Sequence, residues 1–283
     1  MTGDGLPLFQ FVDRIGLNFF ALLTIGFALH AALGVVERDA FKGLRLHVLI
    51  AGAGLVLFVA LRLAILIAQM GDGSNFFDTE LLPLAWMGLG SSTLLVIVGV
   101  IGATSGVWFG SRIAAALGAI ALGAGFGLTG HSQGLADPGL APLMVATHVV
   151  IAGFWVAAPF SLYPSSTLDD ASLLARVHRF SVFAIAAIPI LIALGIWLAW
   201  ILAGGIEKLF STTYGLLLLA KLATGVIAMG LGAINKQFIT AKIAAAPATG
   251  RMWLRTTLLL EATLFTAAII AVSAATTIGG PSE

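Results

Sequence analysis

Long apolar runs, interrupted only by short charged or Pro/Gly-marked stretches, dominate the chain. They predict eight spans: Phe11–Val35, His47–Gln69, Leu84–Ala103, Arg112–Gly130, Ala141–Leu162, Val177–Leu202, Thr213–Asn235 and Trp253–Thr276. Each is close to the roughly 20 residues that carry an α-helix across a bilayer. The predicted fold is all-α: a polytopic membrane bundle of eight transmembrane helices, with residues 1–283 forming a single integral membrane domain. The fourth span carries Gly118, Gly123, Gly125 and Gly127, a small-residue surface that lets helices approach closely. It is expected in the bundle interior.

Composition says what the rest of the chain is not. Of 283 residues, 59% are hydrophobic and 10% charged, with a mean hydropathy of +1.07, against about 45–50% and 25% in a soluble domain. The longest connections, Met70–Pro83, Tyr163–Arg176 and Lys236–Met252, are too short for a further domain. A sizeable soluble module, a nucleic-acid surface and an appended ATPase are excluded. A net charge of +1 gives no bulk attraction to acidic partners. Met1–Asp13 is acidic and lacks the basic start of a cleavable signal peptide.

Charge placement orients the bundle. Connections after the first, third, fifth and seventh spans, with their flanks, hold Arg38, Lys42, Arg45, Arg112, Arg176, Arg179, Lys236, Lys242, Arg251 and Arg255. The other side holds Arg14 and Lys208, with Asp72, Asp78, Glu80, Asp137 and Glu207. By the positive-inside rule, the basic face is cytoplasmic and both termini are periplasmic, in a multi-pass protein of a bacterial inner membrane.

Cysteine is absent, so a soft metal ion would have to be held by Met and His. His131 ends the fourth span on the outer side; Met144 and His148, one turn apart, lie near the outer end of the fifth. Met70 and Met87 flank the same surface. Thioether with imidazole suits Cu(I), and imidazole-rich sites suit Cu(II). Each methionine also has an ordinary reading as a flexible filler of apolar packing. Histidines within a bilayer are costly and point to function. His30, inside the first span near its cytoplasmic end, is a candidate inner metal station; His47 and His178, beside arginines, read as interfacial.

Arg62, Lys221 and Glu261 are the charges set well inside spans. Counting from span ends places Lys221 and Glu261 at depths that differ by about 6 Å, so they are expected to pair, structurally or in proton coupling. Arg62 has no assigned partner; Glu80, Asp78 or a bound anion are open. Gly125-x-Gly127-x-x-Gly130 matches a dinucleotide fingerprint but lacks the preceding strand that gives it meaning. No Gly-x4-Gly-Lys-Ser/Thr sequence exists, which excludes ATP-driven pumping by this chain.

Several short motifs carry a resemblance. Thr129-Gly130-His131-Ser132, His148, Gly153-Phe154-Trp155, Arg179-Phe180-Ser181, Thr213-Tyr214-Gly215, Lys221, Asn235, Arg255 and Glu261 together resemble the copper resistance protein D (CopD/PcoD) membrane family, most specifically over residues 127–279. The resemblance implies an eight-helix inner-membrane protein of copper uptake or resistance. It also implies a periplasmic CopC-like copper-binding partner, expected here as a separate protein. It supports His131 and His148 as functional and does not itself make Met87 or Met144 ligands.

The expected function is copper movement between periplasm and cytoplasm without ATP hydrolysis and without an enzymatic step, through an outer site of His131, His148, Met144 and Met87. Copper is the expected ion, and membrane lipids and the CopC-like protein the expected partners. Two alternatives remain open: a b-type cytochrome with haem held by two histidines, and a non-transporting dock for a copper chaperone.

Overall fold

The computed structural model describes residues 6–71, 73, 75–130 and 137–278. Regular structure among them is entirely helical: α1 (Leu6–Ala32), a 3-10 turn (Arg38–Ala40), α2 (Phe41–Met70), α3 (Leu82–Phe109), α4 (Arg112–Gly127), α5 (Ala141–Val156), α6 (Ala158–Ser161), α7 (Asp170–Ala203), α8 (Ile206–Ser211), α9 (Thr213–Ile234), a π-helical turn (Asn235–Ile239), α10 (Thr240–Ala245) and α11 (Pro247–Ile278). Seven segments are long and apolar enough to cross a membrane, with α5–α6 forming one of them and α9–α10 another. The remaining expected span is α4, which is apolar but has only 16 residues, about 24 Å of helix. The protein is an all-α polytopic membrane bundle.

The innermost helix is α1 rather than α4. Of the most apolar window of α1, 61% is buried, against 11–39% in the other six long segments. It packs on α2, α4, α5 and α11. Helix α4 does use its glycines as expected: a side chain at Gly118 would strike the α3 backbone at Gly102 and Ala103. Its opposite face, with Ile113, Leu117 and Ile120, is exposed. Small residues thus seat α4 against α3 without enclosing it. The exposed apolar faces of α2, α3, α4 and α7 match contact with lipid.

The tightest contact of α1 is with α5. A Cβ at Gly26 would run into the Gly153 carbonyl and the Ala157 side chain, and one at Gly153 would meet Ile25. One core cluster gathers α1, α2, α3 and α4, and a second gathers α5, α6, α7, α10 and α11; Leu29 of α1 packs against both.

Helices at the basic face run past the predicted spans. α2 begins at Phe41, α7 at Asp170 and α11 at Pro247, so His47, His178 and Trp253 lie inside helices rather than opening them. The 34 residues of α7 span about 51 Å, well beyond a hydrocarbon core of about 30 Å. The Lys236–Met252 connection is mostly helix, broken at Ala246 (φ −144°, ψ 78°). These extra turns are polar, so a hydropathy pattern stops short of them.

Arginines tie this face together by donating to backbone oxygens outside regular helical pairing. Arg45 donates to the Trp108 carbonyl at 2.8 Å and lies over its ring at 5.3 Å. Arg255 donates to the Pro164 carbonyl at 2.7 and 3.2 Å. Arg251 pairs with Asp170 at 2.7 Å and donates to the Ser165 carbonyl. The α7 start is capped by Asp169, whose carboxylate accepts from the Ser172 N–H at 2.8 Å. That bond holds the Asp169 carboxyl below its usual 3.8. The cap is therefore intact at neutral pH and is lost as pH drops below 3.8 through the lowered value.

Close α3–α4 contact predicts that Gly118→Val lowers the thermal midpoint of the detergent-solubilised protein, at a cost of about 1–3 kcal/mol. Gly225→Ala, where an added Cβ meets nothing within 4 Å, is expected to leave the midpoint unchanged or raise it slightly.

Candidate functional site

His30 is fully buried (0% exposed) near the basic end of α1. Its Nε2 lies 2.9 Å from the Phe154 carbonyl oxygen. A carbonyl only accepts, so Nε2 carries the hydrogen and the neutral ring presents a lone pair at Nδ1. That Nδ1 has no hydrogen-bond partner among the described residues. Phe154 and Phe180 meet the ring edge-on at centroid distances of 4.9 and 5.8 Å, and they stack on each other at 4.8 Å. Trp155 packs on Phe180 at 6.0 Å, its indole N–H also unpartnered. Gly153-Phe154-Trp155 and Arg179-Phe180-Ser181, far apart in sequence, therefore converge on one imidazole.

His148 lies on α5 against α7. The Cε1 of its ring is 3.6 Å from where a Cβ on Gly195 would stand, so that glycine leaves the ring its space. Its Nδ1 is buried and has no hydrogen-bond partner among the described residues. Lys221 of α9 is its charged neighbour. Six residues of α5 separate His148 from Phe154, about 9 Å along the axis. His148 and His30 thus occupy two levels of the seam between α5 and α7. Pro189, inside α7, lies between those levels and removes one helical hydrogen bond there.

The other expected outer ligands do not gather at this seam. Met87 is 82% exposed in the first turns of α3, pointing away from the bundle. Met144 is half-buried one turn before His148. His131 lies outside the described residues. Among the described residues, no three His, Cys, Asp or Glu side chains cluster as a metal-holding group. Haem does not fit between these histidines. Aromatic rings fill the space around His30, and the two imidazoles stand at different depths instead of facing one another.

The expected Lys221–Glu261 pair is not formed. Glu261 is 4% exposed and accepts from the Asn235 side-chain amide at 2.8 Å; Asn235 in turn accepts from the Thr257 hydroxyl. Asn235 opens the π turn, fourteen residues beyond Lys221, or about 21 Å along the helix axis. The depth count failed because α9 continues through the π turn into α10, so Trp253 lies level with Lys242 rather than with Asn235. Lys221 makes no side-chain hydrogen bond or ion pair with any described residue.

Arg62 also has a different neighbour from those considered. Its nearest acidic influence is Asp13, which is 4% exposed. Because α1 starts at Leu6, Asp13 is a helix residue rather than part of an acidic tail. Arg62 lines a small cavity of about 20 Å³ with Ser92, Thr93 and Thr129, enough for about one water.

A multi-helix membrane protein with isolated polar groups in its interior is the class that fold and site define. Residues 174–275 match the family model for copper resistance protein D. The matched stretch runs from within α7 to within α11 and includes Phe180, Lys221, Asn235 and Glu261. No curated protein and no solved structure matches the chain.

Replacing Asn235 by Ala leaves the Glu261 carboxyl buried without its amide donor, at a cost of about 1–3 kcal/mol. Thermal unfolding should register the loss, and the added substitution Glu261→Gln should recover part of it by removing the buried carboxyl.

Proposed function

We propose that the chain moves copper ions between the two faces of a bacterial inner membrane without ATP hydrolysis, using the α5–α7 seam as part of its path. The observation that carries this reading is the pair of imidazoles, His30 buried and His148 half-buried, each with a buried Nδ1 that has no hydrogen-bond partner among the described residues. Nitrogen ligands of this kind suit copper, and the Phe154 carbonyl orients the His30 ring as outer-shell acceptors orient ligating histidines. His131 and Met144 complete the outer end in this reading, with Met87 a surface residue available to an arriving ion. A periplasmic protein of the CopC-like kind would exchange copper there. The basic face is cytoplasmic, and no catalytic step is assigned to any residue.

Transport requires that an ion also leave. Lys221 opposes a cation at His148 through like charge, which suits brief occupancy over storage. In this arrangement Glu261, held by Asn235 near the basic face, is the acidic group positioned to favour a cation beyond His30.

Copper accumulation by cells carrying the full-length protein tests the reading. His30→Gln and His148→Gln are each expected to reduce protein-dependent copper movement by more than tenfold at equal membrane abundance. Unchanged rates in the double variant would overturn it. A wild-type protein that binds copper but changes no accumulation would establish the chaperone dock instead. Lys221→Met is expected to tighten copper binding about tenfold by removing the repelling charge, measurable by competition with a copper chelator.

A further inference from the structure

A second site lies at the basic face, apart from the histidine seam. A cavity of about 400 Å³, open to the surface, is lined by Leu33, Gly34, Glu37, Arg38, Arg112 and Arg179. Its three guanidiniums come from three separate segments: the 3-10 turn, the first residue of α4, and α7. The turn after α1 assembles them. Gly34 adopts φ +72°, a left-handed conformation suited to glycine, and a Cβ there would stand 3.1 Å from an Arg112 nitrogen. The Gly34 carbonyl accepts from Arg179 at 3.0 Å.

The charges in this cavity do not cancel. Glu37 engages Arg179 at 3.1 Å, whereas Arg38 and Arg112 make no side-chain hydrogen bond or ion pair with described residues. Two guanidiniums therefore face a concave space with their donors unused. Planar, multidentate donors of this kind match the oxygens of a phosphate group.

We infer that this cavity binds a phosphate group, held by Arg38 and Arg112 with Arg179 fixed alongside by Glu37 and Gly34. Basic pockets between membrane helices at this face suit anionic phospholipid headgroups, and free phosphate offers the same chemistry. A bound phosphate would join the end of α1 to α4 and α7. Gly34 follows His30 by one turn, and Arg179 adjoins Phe180, so that junction borders the inner end of the seam. The inference stands independently of copper transport.

Delipidated full-length protein in detergent provides the test, with thermal midpoint read against added phosphatidylglycerol, phosphatidylcholine or inorganic phosphate. Phosphatidylglycerol is expected to raise the midpoint at concentrations where phosphatidylcholine does not. The Arg38→Gln/Arg112→Gln pair should weaken that response about tenfold more than the control pair Lys236→Gln/Lys242→Gln, which removes equal charge outside the cavity. A response to inorganic phosphate alone, lost in the same arginine pair, identifies a soluble phosphate ligand for the same site. Equal weakening in both pairs, or no response to either phosphate source, overturns the site. The midpoint of each variant without additive, set against that of the wild type, separates lost binding from lost folding.

Discussion

The contact between α1 and α5 at Gly26 and Gly153 is the constraint on which the interior depends. Lipid tails are as apolar as leucine, so helices in a bilayer gain association energy from close packing rather than from exclusion of water. Two glycines remove the side chains that would hold these backbones apart. One helical turn beyond Gly26 is His30, and directly after Gly153 is Phe154. Bringing the backbones together therefore brings the imidazole to the Phe154 carbonyl at 2.9 Å. The same approach turns Phe154 and Phe180 onto the ring and seals it from solvent.

Around that contact the polar groups divide by position. At the basic face, arginines satisfy exposed helix-end carbonyls, and Asn235 and Thr257 satisfy the Glu261 carboxyl. These bonds link α2 to α3, α7 to α11, and the π turn to α11. Deeper in the bundle, the Nδ1 atoms of His30 and His148, the Trp155 indole and an Asp13 oxygen have no hydrogen-bond partner among the described residues. An unpaired buried polar group carries a free-energy cost, and the two imidazoles sharing one inter-helix seam give that cost a functional reading.

Hydropathy made seven crossings legible because each presents a long apolar run, and it predicted an eighth where α4 has only 16 residues. It did not reveal the polar turns that extend α2, α7 and α11, and that loss propagated into chemistry. Taking Asn235 and Trp253 as the same depth joined Lys221 to Glu261, when Trp253 lies level with Lys242 and about 21 Å of helix separates Lys221 from the Asn235 level. Reading Met1–Asp13 as an acidic stretch, although the first span already opened at Phe11, left Arg62 without its acidic neighbour. Periodicity also could not say which way Met87 points, since its helix is apolar on every side. His148 and His30 were legible from the cost of placing histidine in a bilayer. That both lie on the α5–α7 seam was not, because residues remote in sequence, Phe154, Phe180, Gly195 and Lys221, define it. Glycines read correctly as sites of close approach, but the most enclosed helix is set by how many neighbours surround it, which no single segment encodes.

X-ray absorption at the copper edge of the copper-loaded, full-length protein addresses the central claim most directly, because imidazole nitrogen produces a distinctive multiple-scattering pattern. The wild-type spectrum is expected to contain imidazole scattering, reduced in His30→Gln and in His148→Gln and reduced further in the double variant. A spectrum without imidazole scattering, or one unchanged by the double substitution, would contradict the assignment of the seam to copper.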